Sequence, residues 1–250
     1  MTDAVHTSAH AASGAPALEA RDLTLSWDGA TPVVVDVNLA VAPGETVCMV
    51  GRSGCGKTTL LHALAGLTRP LSGAVLLHGA EVTGTPGKVS YMFQRDLLIP
   101  SKRVIDNVCL PLTLAGASRT EAREKVEPLL ARFGLEGAGE KWPSELSGGM
   151  RQRAAFLRTY LMGNDVMLLD EPFSALDAIT RRDLRTWFAD MADELGLASL
   201  MITHDVDEAV AMASRVVGEV VVAGEGPRDA GFELTDGFIA AKRALLDLLG

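Results

Sequence analysis

Alternation of apolar and polar side chains marks the first two elements of the chain. "LEARDLTLSW" (18–27) and "VVVDVNLAV" (33–41) switch character along their length, the period of strands with one buried face. "GETVCMV" (44–50) breaks that rhythm with a nearly continuous apolar run ending at a glycine loop. That pattern suits a central parallel strand covered on both faces. Next, "TTLLHALAGL" (58–67) has helical spacing and stops at Gly66 before "TRP", and "GAVLLHG" (73–79) predicts another strand.

From about Arg95 to Gly163 the spacing turns helical. "SRTEAREKVEPLLARFGL" opens on Ser118 with Glu121 three residues later, a capping-box pattern, and closes on Gly134. "SGGMRQRAAFLRTYLMG" predicts a second amphipathic helix starting near Ser147. Strand patterns resume with "VMLLD" (166–170), then helix 178–195, strand "ASLMIT" (198–203), helix 205–213 and strand "VVGEVVVAG" (216–224). Strands alternating with helices, and mostly apolar, predict an α/β fold: a parallel sheet with helices on both faces, interrupted by a mainly helical block.

Composition changes this picture little. Hydrophobic residues at 48% and charged residues at 22% are ordinary for a globular core. The net charge of -9, with no run of five or more basic residues, argues against a nucleic-acid partner. No apolar run approaches the roughly 18 to 20 residues needed to span a bilayer. The Ala/Ser/His-rich start lacks the apolar segment of a secretory signal and reads as a disordered tail over residues 1–17. Cys48, Cys55 and Cys109 have no metal-ligand or paired spacing, which fits a reducing cytoplasm.

The chemistry begins at "VGRSGCGKTT" (50–59). Gly51, Gly56, Lys57 and Thr58 satisfy G-x-x-x-x-G-K-[ST] between a buried strand and a helix, enclosing Arg52, Ser53, Gly54 and Cys55 and followed by Thr59. Glycines let successive backbone N–H groups converge on phosphate oxygens, and the helix N-terminus adds partial positive charge. Lys57 would neutralise the β- and γ-phosphates while the Thr58 hydroxyl ligates Mg²⁺. Cys55 sits near a helix N-terminus, where a thiol pKa tends to fall, but its plainer role is a small residue tolerated by the turn.

"VMLLDEP" ends an apolar strand with Asp170 and Glu171, placing two carboxylates where open α/β sheets bind ligands. Asp170 would hold Mg²⁺ through water, and Glu171 would orient and deprotonate an attacking water. In "LSGGMRQR", Ser147, Gly148 and Gly149 open a helix and offer a second N-terminus suited to an anion. A second phosphate-seeking helix end is redundant in one chain unless it serves another copy, which points to a dimer.

The set "GRSGCGKTT", "FQ" (93–94), "LSGGMRQR", "VMLLDEP", "SALD" (174–177) and "THD" (203–205), in that order, resembles the ATP-binding subunit of an ABC transporter, from about Leu18 to Val222. The resemblance implies a P-loop NTPase (RecA-like) core with a mostly parallel sheet, an N-terminal antiparallel β subdomain and an inserted α-helical subdomain. The ATPase domain would run 18–250: core 18–94 and 164–223, helical subdomain 95–163, C-terminal extension 224–250. It further implies that Trp27 is the aromatic stacking on adenine. Gln94 would contact Mg²⁺ or the attacking water, Asp177 would lie at the dimer seam, and His204 would contact the γ-phosphate. Taken singly, each has a plainer rival: Trp27 as a strand-end core aromatic, Gln94 as a surface amide, and His204 as a loop histidine or helix cap. Arg158 reads as structural.

The finer run "YMFQRDLLIPSKRVIDNVCLPL" with "DEPFSALDAITR" and "THDVDEAV" is similar to nitrate/sulfonate/taurine-type importers and to relatives carrying vitamin precursors. Two departures are Ser101, where the family usually has Trp after Pro100, and "FLRTYLMG" in place of the commoner "IARAL". The resemblance implies ATP and Mg²⁺ as cofactors and a second ATPase subunit, most simply an identical one. It also implies membrane permease subunits, a solute-binding protein acting indirectly, and a place on the cytoplasmic face of the membrane. A free-standing ATPase without fused membrane spans favours import. An exporter or lipid-transfer ATPase, and a soluble ABC ATPase outside transport, are the alternatives. A P-loop kinase or GTPase would leave "LSGG", Gln94 and His204 unexplained.

Overall fold

Residues 15–51, 55–217, 222–223 and 242–243 are described in the computed structural model. In chain order the elements are β1 (Leu18–Ser26), β2 (Pro32–Val41), β3 (Thr46–Val50), α1 (Lys57–Leu64), β4 (Ser72–Leu77), β5 (Ala80–Glu81) and β6 (Ser90–Met92). There follow α2 (Val104–Val108), α3 (Leu110–Leu114), α4 (Arg119–Arg132), a 3₁₀ turn (Pro143–Glu145), α5 (Gly148–Tyr160) and β7 (Val166–Asp170). The chain continues through α6 (Ala178–Glu194), β8 (Ala198–Thr203), α7 (Val206–Met212), β9 (Arg215–Val217) and β10 (Val222–Ala223).

Two sheets form. One is four-stranded and antiparallel in the order β2-β1-β4-β5, and the other is six-stranded in the order β10-β9-β3-β8-β7-β6. Within the second, β9, β3, β8, β7 and β6 run parallel and β10 pairs antiparallel with β9. "VVGEVVVAG" is therefore not one strand: its ends pair with each other, so the chain reverses between them. β7 and β8 are buried at every residue, as their unbroken apolar runs require.

Side chains on a strand point alternately to the two faces, and each face of the parallel sheet has its own core. On one face, Val47, Leu168, Leu200 and Ile202 pack with Leu60, Leu61 and Leu64 of α1 and with Leu18, Leu23 and Leu25 of the antiparallel sheet. On the other, Cys48, Met167, Leu169 and Met201 pack with Phe156 and Leu157 of α5, Phe188 of α6 and Val210 of α7. Helices cover both faces as the pattern predicts, but α1 shares its side with the antiparallel sheet. The cores of α2 and α4 are continuous with the second cluster through Val108, Val126 and Leu130. Each such leucine contributes about 1.5–3 kcal/mol of burial.

The predicted capping box is present: the Ser118 hydroxyl accepts the Glu121 N–H at 3.3 Å, and the Glu121 carboxylate accepts the Ser118 N–H at 2.9 Å. Gly134 follows with φ 66, the left-handed conformation in which glycine ends helices. Ala17, assigned from sequence to the tail, is instead buried, because its N–H donates to the Val41 carbonyl at 2.8 Å and its carbonyl accepts the His78 N–H at 3.0 Å. Residues 1–14 and most of the 224–250 extension lie outside the described residues. Lys242 is helical, and its ammonium lies 2.6 Å from the Asp207 carboxylate. No helix among the described residues is long and apolar enough to cross a membrane.

Candidate functional site

Because β3, β8 and β7 are parallel neighbours, their carboxyl ends share one edge of the sheet. Gly51 follows β3, Asp170 ends β7, and Thr203 ends β8 just before His204. Gln94 lies two residues beyond β6. Topology alone thus gathers most of the sequence-predicted residues into one crevice, the position where open α/β sheets bind ligands.

α1 starts at Lys57, with Gly56 as its N-cap at φ 96. Glycine is required twice over: that φ is left-handed, and a Cβ would collide with Val34 Cγ2 of β2. The Lys57 side chain is only 9% exposed, and its ammonium donates to the Gly51 carbonyl at 2.7 Å and lies 3.6 Å from Cys55 Sγ. A cation that sheltered must be paired, and the loop's own carbonyl serves here. Arg52, Ser53 and Gly54, the middle of the predicted loop, lie outside the described residues.

Asp170 is 8% exposed, and burial pushes its carboxyl above the usual range. Two donors oppose that: the Tyr91 hydroxyl at 3.2 Å and the Thr58 hydroxyl at 3.4 Å. Burial and the adjacent Asp170 push the Tyr91 phenol well up, so it stays a donor. A hydroxyl beside a carboxylate is a set of hard oxygen donors, and it fits Mg²⁺. Gln94, assigned to the same ion from sequence, makes its hydrogen bonds elsewhere.

Those bonds define a second group. The Gln94 amide donates to Glu171 Oε2 at 3.1 Å and to the Ser174 hydroxyl at 3.3 Å. His204 Nδ1 lies 3.1 Å from the same Glu171 oxygen. Glu171 sits at φ 43, a left-handed conformation uncommon outside glycine that costs on the order of 1–3 kcal/mol. Its N–H donates to the Ile202 carbonyl at 2.9 Å, and its carbonyl accepts the Ser174 hydroxyl at 3.0 Å, which together fix the turn.

Ser147, Gly148 and Gly149 form another place in the fold. The Ser147 hydroxyl caps α5 by accepting the Met150 N–H at 3.3 Å. A Cβ on Gly149 would lie 2.8 Å from Thr180 Cγ2, and one on Gly148 would lie 3.0 Å from Leu176 Cδ2. Both glycines therefore admit close packing against the segment that starts α6. Asp177 caps α6 by accepting the Thr180 N–H at 3.0 Å, which holds its carboxyl below the usual range. Since α5 and α1 pack on opposite faces of the parallel sheet, the two glycine-opened helices are not brought together.

Trp27 is 74% exposed in the turn after β1, so the core-aromatic alternative is excluded. Arg158 donates to the Asp96 and Leu97 carbonyls at 2.5 and 2.8 Å, bracing the segment just after Gln94, where Leu97 has φ 46. Sequence reading missed Tyr91 and Ser174. The phenol tip of Tyr91 inside the strand run "VSYM" was a signal for the first, and Ser174 was given no role inside "EPFSALD".

Known proteins resemble this chain in sequence and fold. A family model described as ABC transporter matches residues 34–174. The Fe(3+) ions import ATP-binding protein FbpC 1 of Rhizobium meliloti (strain 1021) is 44% identical over 204 residues, covering 80% of this chain and 58% of that one. The taurine import ATP-binding protein TauB of Escherichia coli O157:H7 is 40% identical over 199 residues, covering 80% of this chain and 76% of that one. The chain spans about three fifths of the length of the iron-import relatives it matches. Among solved structures, the dimeric post-hydrolysis state of the ATP-binding cassette MJ0796 bound to ADP and Pi has a TM-score of 0.72 at 27% identity, covering 84% of this chain and 99% of that one. With more than half its length inside the family model and a 40% identical relative covered over three quarters, the chain belongs to the ABC transporter family.

Proposed function

We propose that this chain is the ATP-hydrolysing subunit of an importer, working as a dimer on a separate membrane permease. The observation that carries the reading is the meeting of Lys57, Thr58 with Asp170, and Glu171 with Gln94 and His204 along one sheet edge. The Lys57 ammonium and the first N–H groups of α1, with Arg52, Ser53 and Gly54 completing the loop, neutralise the β- and γ-phosphates of ATP. The ring of Trp27 is free to stack on adenine. Thr58 and Asp170 would hold Mg²⁺, which would supply neutralising charge to the phosphates; the Tyr91 hydroxyl keeps Asp170 oriented.

Glu171 Oε2 takes the proton from the attacking water. Gln94 and His204, both 3.1 Å from that oxygen, hold it in place, and His204 lies exposed enough to reach the γ-phosphate. Ser147 and Gly149 of a second copy close over the nucleotide, with Asp177 at the seam. The opposite-face placement of α5 supports this sharing. Gln94 and the segment after it face the permease, and Ser101 tunes which permease is accepted. Import and a cargo of the nitrate/sulfonate/taurine class are supported by the finer motifs and by the likeness to TauB.

Glu171→Gln tests the core of this reading. The variant keeps a partner for Gln94 but cannot take a proton, so turnover should fall on the order of 10²–10⁴-fold. ATP with Mg²⁺ should then trap a dimer, read as a doubling of mass on size exclusion. Undiminished turnover refutes Glu171 as the base, and a monomer at saturating ATP refutes the shared site.

A further inference from the structure

His204 is positioned through its neighbours, and both neighbours are tied to one arginine. Thr203, before it, donates its hydroxyl to Glu208 Oε2 at 2.6 Å and accepts the Asp205 N–H at 3.0 Å. Asp205, after it, accepts the Asp207 and Glu208 N–H groups at 2.9 and 3.3 Å, capping α7. Glu208 is 2% exposed, so the loop is anchored to a group that cannot move into solvent. Facing both acids is Arg181 of α6, with NH1 3.2 Å from Asp205 Oδ2 and Nε 3.7 Å from Glu208 Oε1.

The third arm of the same guanidinium points the other way. Arg181 NH2 donates to the Leu176 carbonyl at 2.9 Å, in the segment that leaves Glu171 and leads to Asp177. One rigid fork thus holds two loops at once: the loop carrying His204 and the loop running from Glu171 to the exposed Asp177. A guanidinium suits this because its donors are fixed in a plane, whereas an ammonium is a point charge on a flexible stem.

We propose that Arg181 is a positioning residue for hydrolysis, setting His204 against Glu171 by locking the 203–205 loop to the 172–177 loop. Because Leu176 and Asp177 lie beside the Ser147–Gly149 corner, the lock also passes closure of a second copy on to His204. The proposal rests on His204 acting in hydrolysis as read above. Displacement of a reacting group by about 1 Å can cost on the order of 10²-fold in rate, so the effect should fall on kcat.

The test is a double-mutant cycle on the intact chain, with ATPase kcat and KM measured separately. Arg181→Met should lower kcat by about 10- to 100-fold and leave KM for ATP within about twofold. Arg181→Lys should fall between the two, keeping one contact of three. When His204 is already Ala, Arg181→Met should change kcat by less than about twofold, since nothing remains to position. An equal loss in both backgrounds, or a rise in KM at constant kcat, overturns the proposal. If Arg181→Met does not fold, the same cycle is read with Arg181→Lys. Full turnover in His204→Ala alone would instead sink the reading of His204, and the proposal with it.

Discussion

Gly149 carries two demands that a pair of substitutions separates. In Gly149→Ala the new methyl lies 2.8 Å from Thr180 Cγ2, where ordinary carbon contacts begin near 3.5 Å. Thr180 is β-branched and its N–H is held by Asp177 at 3.0 Å, so it yields little. Overpacking of this kind costs about 1–3 kcal/mol. Against it stands helix propensity: alanine is favoured over glycine by up to about 1 kcal/mol, less in the first turn. The net expectation is a destabilisation of about 0–3 kcal/mol, measured by urea unfolding. Thr180→Ser removes the obstructing methyl and keeps the hydroxyl. In that background the same Gly149→Ala change should become neutral or stabilising, by up to about 1 kcal/mol. ATP turnover should be low even in Gly149→Ala/Thr180→Ser, because the proposed shared site needs the α5 N-terminus bare for close approach of the second copy's nucleotide. Equal destabilisation in both backgrounds would refute the packing argument, and normal turnover in the stable double variant would refute the nucleotide role.

Other outcomes follow from the same geometry. Trp27→Ala should raise half-saturating ATP about tenfold with less than about 0.5 kcal/mol change in stability, since the ring is largely exposed; unchanged ATP affinity would remove it from the adenine site. Cys55 is exposed beside Lys57, so a thiol reagent should inactivate the protein and ATP should protect it, with mass spectrometry locating the label. Full ATPase activity after Cys55 labelling would count against the loop geometry. Burial pushes the Glu208 carboxyl above its ordinary 4.5. A raised acid contributes stability that is intact below the unfolded value and lost as pH rises through the folded one. Glu208→Gln escapes that loss, so its stability relative to the parent should climb with pH above about 4.5 and then level off; a flat difference from acid to neutral pH would disprove the shift.

The strands, the helices and the phosphate loop were legible because their causes are local. An unbroken apolar run demands burial on both faces, and Gly56 and Lys57 announce themselves at fixed spacing. What stayed hidden depends on distant pairing. Nothing near Tyr91 in sequence says that its hydroxyl meets Asp170, and nothing near Gly149 says that Thr180 crowds it. The strand over 216–224 divided into two because the run is apolar whether the chain continues straight or turns back. Glu171 was picked out for its carboxylate. Its left-handed backbone could not be, since that conformation is imposed by Ile202 and Ser174. The Arg181 fork was equally invisible, because its three contacts bring together two separate stretches of chain.

The placement of α1 and α5 on opposite faces of the sheet has a kinetic consequence. If each nucleotide is completed by another copy, turnover belongs to the pair, and the rate per free chain should fall on dilution. A permease that holds two copies side by side converts that second-order encounter into a unimolecular one, at an effective concentration in the millimolar range. Such tethering would let a small population of chains hydrolyse ATP where transport occurs while the same chains, loose in solution, stay nearly idle.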